Sequence, residues 1–253
     1  IQLPVVKADD LADVPAAGLK MARPDGDHQA VVTRDQWKHA VQGYLATIKF
    51  LDEQIGRLLE AVDASGRGDK LLIVLWSDHG WHLGEKQHWR KFALWEEAAR
   101  APLAFIVPGV TRPKTRCDAA VDLMSIYPTL VDLIGLPIPE HVQGPSLRLL
   151  LENPQAAWER VGLTTHGRGN HAVRDRHWRY IRYADGSEEL YDHRTDPDEW
   201  TNLAGQSEHA AVIRRLAAQL PAEEAADAPR EKAKPKADRR AKKPRPARAA
   251  EKD

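Results

Sequence analysis

The sequence predicts an α/β fold, a mixed sheet flanked by helices, followed by a small antiparallel sheet plus helix and a disordered basic tail. Three observations carry this. Apolar residues recur at three- and four-residue spacing from Trp37 to Val62. Two continuous apolar runs follow, Leu71 to Trp76 and Leu103 to Val107. Helix, strand, loop, strand is the rhythm of an α/β layer. Beyond about residue 160 the pattern changes to short alternating segments broken by turn residues.

In chain order, residues 1–32 carry Pro4, Pro15 and Pro24 without a clear period and are expected to be loop. Thr33 with Gln36 three residues on suits a capping box. Trp37, Val41, Tyr44, Leu45, Ile48, Leu51, Ile55, Leu58, Leu59 and Val62 then predict an amphipathic helix with one buried face. Gly66 and Gly68 end it. Leu71 to Trp76 is apolar on both faces, as expected of a strand in the middle of a helix-covered sheet. Leu103 to Val107, bounded by Pro102 and Pro108, predicts a second such strand. Asp122 to Ile134 predicts a helix with Pro128 in or near its first turn.

The segment "HAVRDRHWRYIRYADGSEELYDHRTDPDEWTNLAG" alternates like exposed-edge strands, with Asp185-Gly186 as a hairpin turn. Ser207 is placed to cap a last helix reaching about Leu220. The expected division is 1–155 for the α/β part, 156–221 for the small sheet and helix, and 222–253 for the tail.

Charge supports that division. Residues 230–253 hold 11 Lys or Arg against 4 Asp or Glu; subtracting these from the chain's 37 and 37 leaves 26 basic and 33 acidic residues before them. The tail has no Leu, Ile, Val or aromatic residue, so it cannot bury enough to fold. Its basic charge suits anionic surfaces, but without aromatics for base stacking no specific nucleic-acid partner is expected. The single cysteine, Cys117, excludes an intrachain disulfide, and no apolar run approaches the roughly 20 residues that span a bilayer. No signal peptide is visible, and the sequence begins at Ile1, so it is expected to be a fragment or a processed product.

The chemistry concentrates in "LLIVLWSDHGWHLGEKQHWRK" (71–91). In open α/β sheets ligands sit beyond the carboxyl ends of strands, and Asp78 and His79 follow such an end. A carboxylate and a neutral imidazole together suit a divalent cation, with further ligands from elsewhere. Asp-His-Gly equally suits a turn or cap with no metal. Lys91, 12 residues after His79, is a compact donor for an anionic oxygen, or else a solvated surface charge. His82 and His88 are candidates for supporting groups or plain loop residues, and Trp81, Trp89 and Trp95 for packing.

At this point the sequence resembles a known family. "LWSDHGWHLGEKQHWRKFALWEEAARAPLAFIVPG" (75–109) is similar to the second half of a sulfatase, of the alkaline phosphatase superfamily, with the iduronate-2-sulfatase and choline-sulfatase branch nearest. "YLATIKFLDEQIGRLLEAVD" (44–63), "AAVDLMSIYPTLVDLIGLPIPEHVQGPSL" (119–147) and "HWRYIRYADGSEELYDHRTDPDEWTNLA" (177–204) resemble further family segments, in family order. The resemblance implies an alkaline-phosphatase-like sheet, incomplete here, and sulfuric ester hydrolysis. It implies Ca2+, or another divalent cation such as Mg2+, at Asp78 and His79, and a sulfate contact at Lys91. The implied partners are a sulfate ester, small or glycan, and the missing N-terminal half of the catalytic domain. A periplasmic or extracellular location is what the family favours.

The sequence departs from the family where the bond is made. Sulfatases use a cysteine in a Cys-x-Pro/Ala-x-Arg motif, oxidised to formylglycine, and Cys117 lies in "RCDAAV", without that proline or arginine. No residue here is therefore assigned as the nucleophile. The paired aspartates that complete the family's cation site are also absent. The expectation is a chain inactive by itself, with apolar sheet edges and helix faces uncovered. A phosphodiesterase or phosphonate monoester hydrolase of the same superfamily, and a non-catalytic pseudoenzyme, are the alternatives.

Overall fold

The computed structural model describes residues 1–224 and 226, so the expected tail lies almost wholly outside the described residues. Residues 1–15 are loop and turn, as expected, but 16–32 are not. The latter form helix α1 (Ala16–Ala22), a π-helical turn (Pro24–His28) and most of α2 (Gln29–Thr33). Pro15 and Pro24 stand at the beginnings of these turns, where a missing N–H costs nothing, so the prolines punctuate helices instead of preventing them.

The capping box does not form. Thr33 ends α2, Asp35 turns the chain with φ of 53°, and Gln36 is the residue before α3 (Trp37–Ala64). The Gln36 amide donates to the carbonyls of Arg34 and Asp35 instead of closing a box. The long helix is as predicted, but its apolar face is not buried: Val41 is its one buried residue.

β1 (Ile73–Trp76) is followed by a miniature hairpin, β2 (His82–Leu83) and β3 (Trp89–Arg90), then by α4 (Glu96–Ala99) and β4 (Leu103–Ile106). β1 and β4 pair antiparallel, Ile73 opposite Ile106, as a two-stranded sheet, not as central strands of a larger one. Each leaves apolar side chains in the open, including Leu75, Trp76 and Ile106. The continuous apolar runs predicted strands correctly, at Ile73–Trp76 and Leu103–Ile106. A 3-10 turn (Leu123–Ser125) leads into α5 (Ile126–Leu133), with Pro128 in its first turn, and α6 (Arg148–Glu152) precedes the second sheet.

That sheet is the antiparallel meander β5 (Gly162–Thr165), β6 (His171–Arg174), β7 (Trp178–Arg182) and β8 (Glu188–Asp192). The β7–β8 hairpin turns at Asp185-Gly186, with Gly186 at φ of 84°. Its strands are not exposed edges. Alternation here sorts residues between two cores. Val173, Trp178, Tyr180 and Leu190 face one side and pack against Leu216 of α7 (Ala210–Ala217) and Leu220. Ala172, Ile181, Tyr183 and Tyr191 face the other and pack with Val14, Ala22, Ala93, Leu94, Trp95 and Ala98. The segment before α3 and the segment after β3 thus complete the buried side of the C-terminal sheet. Ser207 lies in a 3-10 turn ahead of α7 and makes no cap hydrogen bond. No described helix is long and apolar enough to cross a membrane.

Candidate functional site

Asp78, His79 and Lys91 come together. The β1–β4 ladder continues one step past β1, where the Ser77 N–H donates to the Pro102 carbonyl at 3.3 Å. The chain then turns at Gly80, whose N–H donates to Ala98. A side chain there would place its Cβ 2.0 Å from the Glu97 carbonyl oxygen, so only glycine lets the loop run this close to α4. Ser77 Oγ donates to the His79 carbonyl at 3.0 Å and fixes the turn from within.

On this turn His79 Nε2 lies 3.5 Å from Asp78 Oδ1, and Lys91 Nζ lies 3.9 Å from Asp78 Oδ2. The β2–β3 hairpin closes the distance in sequence, returning the chain so that Lys91 stands over the Asp78 loop. Gly84 in that hairpin lies against Trp37, which donates from Nε1 to the Leu83 carbonyl at 2.7 Å. Behind the imidazole, Trp81 stacks between His79 and Tyr44, each ring pair 6.1 Å apart.

The donor set fits a divalent cation in part. His79 Nδ1 lies 2.6 Å from the Gly80 carbonyl, a geometry that places the proton on Nδ1 and leaves the Nε2 lone pair towards Asp78. The Asp78 carboxylate is 71% exposed, open to an ion and to an incoming oxyanion. Two side chains supply a hard oxygen and a nitrogen, fewer than a complete shell for calcium.

His82 and His88 are not on this surface. Both are buried, their ring centroids 4.9 Å apart, each with Nδ1 bonded to a backbone carbonyl and Nε2 without a partner among the described residues. Burial, then the neighbouring His88, pushes His82 down to about 3. Trp89 and Trp95 are buried packing residues. Cys117 is exposed, with Sγ directed at the Pro154 carbonyl, so it is a loop residue.

A second cluster escaped the sequence reading. One ligand atom from each of Glu96, His193 and Glu199 lies within 4.8 Å of the others. Here a guanidinium already supplies the positive charge. Arg179, fully buried, donates to Glu96 and Glu199, and Arg174 donates to Glu96 and His193. Burial would raise the Glu96 carboxyl, but Arg179 with Arg174 holds it down to about 2. Beside it Lys86 is buried with Asp10 at 2.7 Å. No spacing rule links positions 10, 86, 96, 179 and 199, because only the folded sheet brings them together. A cavity of about 220 Å³ lies elsewhere, lined by Asp122, Gln143, Trp158 and Arg160 among others, and none of Asp78, His79 and Lys91 borders it.

Comparison with known proteins agrees with this architecture. Residues 84–226 match the profile of the N-sulphoglucosamine sulphohydrolase C-terminal region, and residues 15–136 match that of the sulfatases. A sulfatase of Formosa agariphila is 40% identical over 225 residues, covering 87% of this chain and 44% of that protein. A protein solved with its substrate D-glucosamine-2-N,6-O-disulfate superposes with a TM-score of 0.66 at 29% identity, covering 72% of this chain and 40% of that one. A phosphonate monoester hydrolase from Silicibacter pomeroyi superposes with a TM-score of 0.73 at 25% identity, covering 87% and 49%. The chain therefore spans about half the length, or less, of the proteins it matches. Its sequence and its fold agree: this chain belongs to the sulfatase family.

Proposed function

We propose that the protein hydrolyses sulfate esters, and that this chain supplies one side of the site at which the oxyanion is held. In this reading Asp78 Oδ1 and His79 Nε2 are two ligands of a divalent cation, Ca2+ or Mg2+, and Lys91 binds the sulfate. The observation that carries the reading is the convergence of Lys91, Asp78 and His79 beyond β1. A cation bound there supplies Lewis acidity to the sulfate oxygens. The chain's own groups do the rest. His79 keeps its proton on Nδ1, against the Gly80 carbonyl, so that Nε2 stays a donor of electrons. Lys91 Nζ, already 3.9 Å from Asp78, adds a positive charge that neutralises oxyanion charge as it grows in the transition state. Sulfated saccharides are the favoured substrates, by analogy with the solved protein bound to a disulfated glucosamine.

In the full-length protein, His79→Ala is expected to weaken cation affinity and turnover of 4-nitrocatechol sulfate together, each by at least about tenfold. Lys91→Ala is expected to lower turnover by about 100-fold with cation affinity nearly unchanged. Calorimetry with Ca2+ beside the turnover assay separates the two roles. Unchanged turnover in both variants rejects the assignment.

Phosphonate monoester hydrolysis is the second reading, favoured by the superposition on the Silicibacter enzyme. It keeps the same three residues and changes the central atom of the oxyanion. Relative kcat/KM on aryl sulfates and phenyl phosphonates decides between them.

A further inference from the structure

Phe92 follows Lys91 directly, yet unlike its neighbours Ala93, Leu94 and Trp95 it is not part of the core: it is 55% exposed. Its ring is held from two sides. Lys91 Nζ lies 5.7 Å from its centroid, and the His166 ring lies 5.6 Å away, tilted by 39°. His166 belongs to the loop between β5 and β6, so the C-terminal sheet reaches the Lys91 side of the molecule here.

That loop is firmly built. Gly167 and Gly169 take φ of 72° and 76°, conformations that suit glycine. The Asn170 side chain donates to the carbonyls of His166 and Arg168 and accepts from the Ala184 N–H at 3.0 Å. A Cβ on Gly169 would meet Ala184 Cβ at 3.0 Å, so the loop lies against the β7–β8 turn. The His166 imidazole makes no hydrogen bond among the described residues. An exposed aromatic face and an imidazole with unused hydrogen-bonding capacity, both on fixed backbone, thus border the group proposed to hold the oxyanion. A stacking face beside a hydrogen-bonding edge is complementary to a pyranose ring, which is apolar on one face and carries hydroxyls at its rim.

We infer that Phe92 and His166 form the leaving-group subsite next to Lys91 and that it takes a sugar ring, lying on Phe92 with a ring hydroxyl bonded to His166. The inference rests on the reading of Lys91 as the oxyanion contact and adds the residues that select what the sulfate is attached to. A small alkyl alcohol such as ethanol offers neither a flat ring nor a hydroxyl rim, so ethyl sulfate gains little from this wall.

The test is binding to the full-length protein, by calorimetry, of three probes: D-glucosamine 6-sulfate, ethyl sulfate and inorganic sulfate. Phe92→Ala is expected to weaken the glucosamine sulfate about tenfold, and His166→Ala about threefold to tenfold. Both are expected to leave ethyl sulfate and inorganic sulfate within about twofold of the parent. Phe92→Tyr, which keeps the stacking face, is expected to retain affinity. Lys91→Ala is expected to weaken all three probes; if it weakens none, the oxyanion reading fails. If Lys91→Ala weakens all three while Phe92→Ala and His166→Ala leave the glucosamine sulfate unchanged, the subsite alone is overturned. It is likewise overturned if the two variants weaken all three probes equally, or if the parent binds the glucosamine sulfate no better than inorganic sulfate.

Discussion

The β1–β4 pair is built from wholly apolar strands and the β5–β8 sheet from strands that carry charged residues, yet it is the second that is buried. In β7 and β8, Tyr180, Ile181, Leu190 and Tyr191 are wholly buried. In β1 and β4, Trp76 is 50% exposed and Ile106 52%, and on α3 Leu58 is 65% exposed. The difference lies in what covers each. The C-terminal sheet has α7 on one face and the 10–22 and 93–98 segments on the other. Among the described residues, nothing covers the outer faces of α3, β1 and β4. Apolar periodicity therefore reports which face seeks a partner, and burial reports whether one is present. The candidate site joins the two regions: Asp78 and His79 follow the exposed strand, while Lys91 and Phe92 lead into the packed core.

Breaking the packed side is expected to have the largest effect. Arg179 is fully buried and donates to Glu96, Glu199 and the Leu94 carbonyl. Arg179→Met removes the cation that Glu96 and Glu199 share, leaving Glu96 only Arg174 and buried Glu199 only His193 as side-chain hydrogen-bond partners among the described residues. A loss of about 3–5 kcal/mol is expected, the usual cost of breaking a buried ion pair. Urea denaturation measures it. Glu199→Gln combined with Arg179→Met is expected to recover part of the loss, because one buried charge goes with the other.

This network also shows what sequence can and cannot carry. The strands, the hairpin at Gly186 and the long helix were legible because each depends on neighbours within a few residues. So was the position of Asp78 and His79 just beyond a strand's end. Lys91 was singled out through its resemblance to the family motif, and its approach to Asp78 depends on the β2–β3 hairpin. Arg179 and Glu199 were invisible as a pair, since a polar residue at an alternate strand position, such as Arg179, ordinarily faces water, and Glu199 lies in a loop beyond the next strand. The same applies to Phe92 and His166, 74 positions apart and joined only by the fold. The helices before Trp37 were missed for another reason: their prolines sit at first turns, where proline is favoured, and were taken as breakers.

Acid titration is expected to have the next largest effect, again confined to the packed side. Burial lowers His82 from 6.5 to about 3 and shifts His88 in the same direction, so burial favours the neutral form of each. The unfolded chain takes up a proton near pH 6.5, and the folded protein does so only near pH 3 for His82. The contribution of His82 is thus complete above pH 6.5 and is lost as the pH falls towards about 3. By pH 5 about 2 kcal/mol is gone from this residue alone. Urea midpoints at pH 7 and pH 5 read the slope, and His82→Phe is expected to flatten it. A midpoint shift equal to the parent's in that variant would mean that other groups set the acid limit.

The smallest effect belongs to the open side, and its smallness is the informative result. Leu58 projects from α3 with most of its surface in water, so truncation leaves no cavity and forfeits little transfer energy. Leu58→Gln keeps length and helix propensity and exchanges an exposed apolar group for a polar one. Stability of this chain is expected to change by less than about 0.5 kcal/mol, the range of ordinary surface substitutions. Its tendency to self-associate, read by light scattering, is expected to fall, because a contiguous exposed apolar face favours association. If the same substitution instead costs several kcal/mol in the full-length protein, Leu58 is buried there by a partner layer. The two regions would then differ only in where their second layer comes from. If the cost stays small in both, the α3 face is an exposed surface in its own right, and the contrast drawn above is a property of the whole molecule.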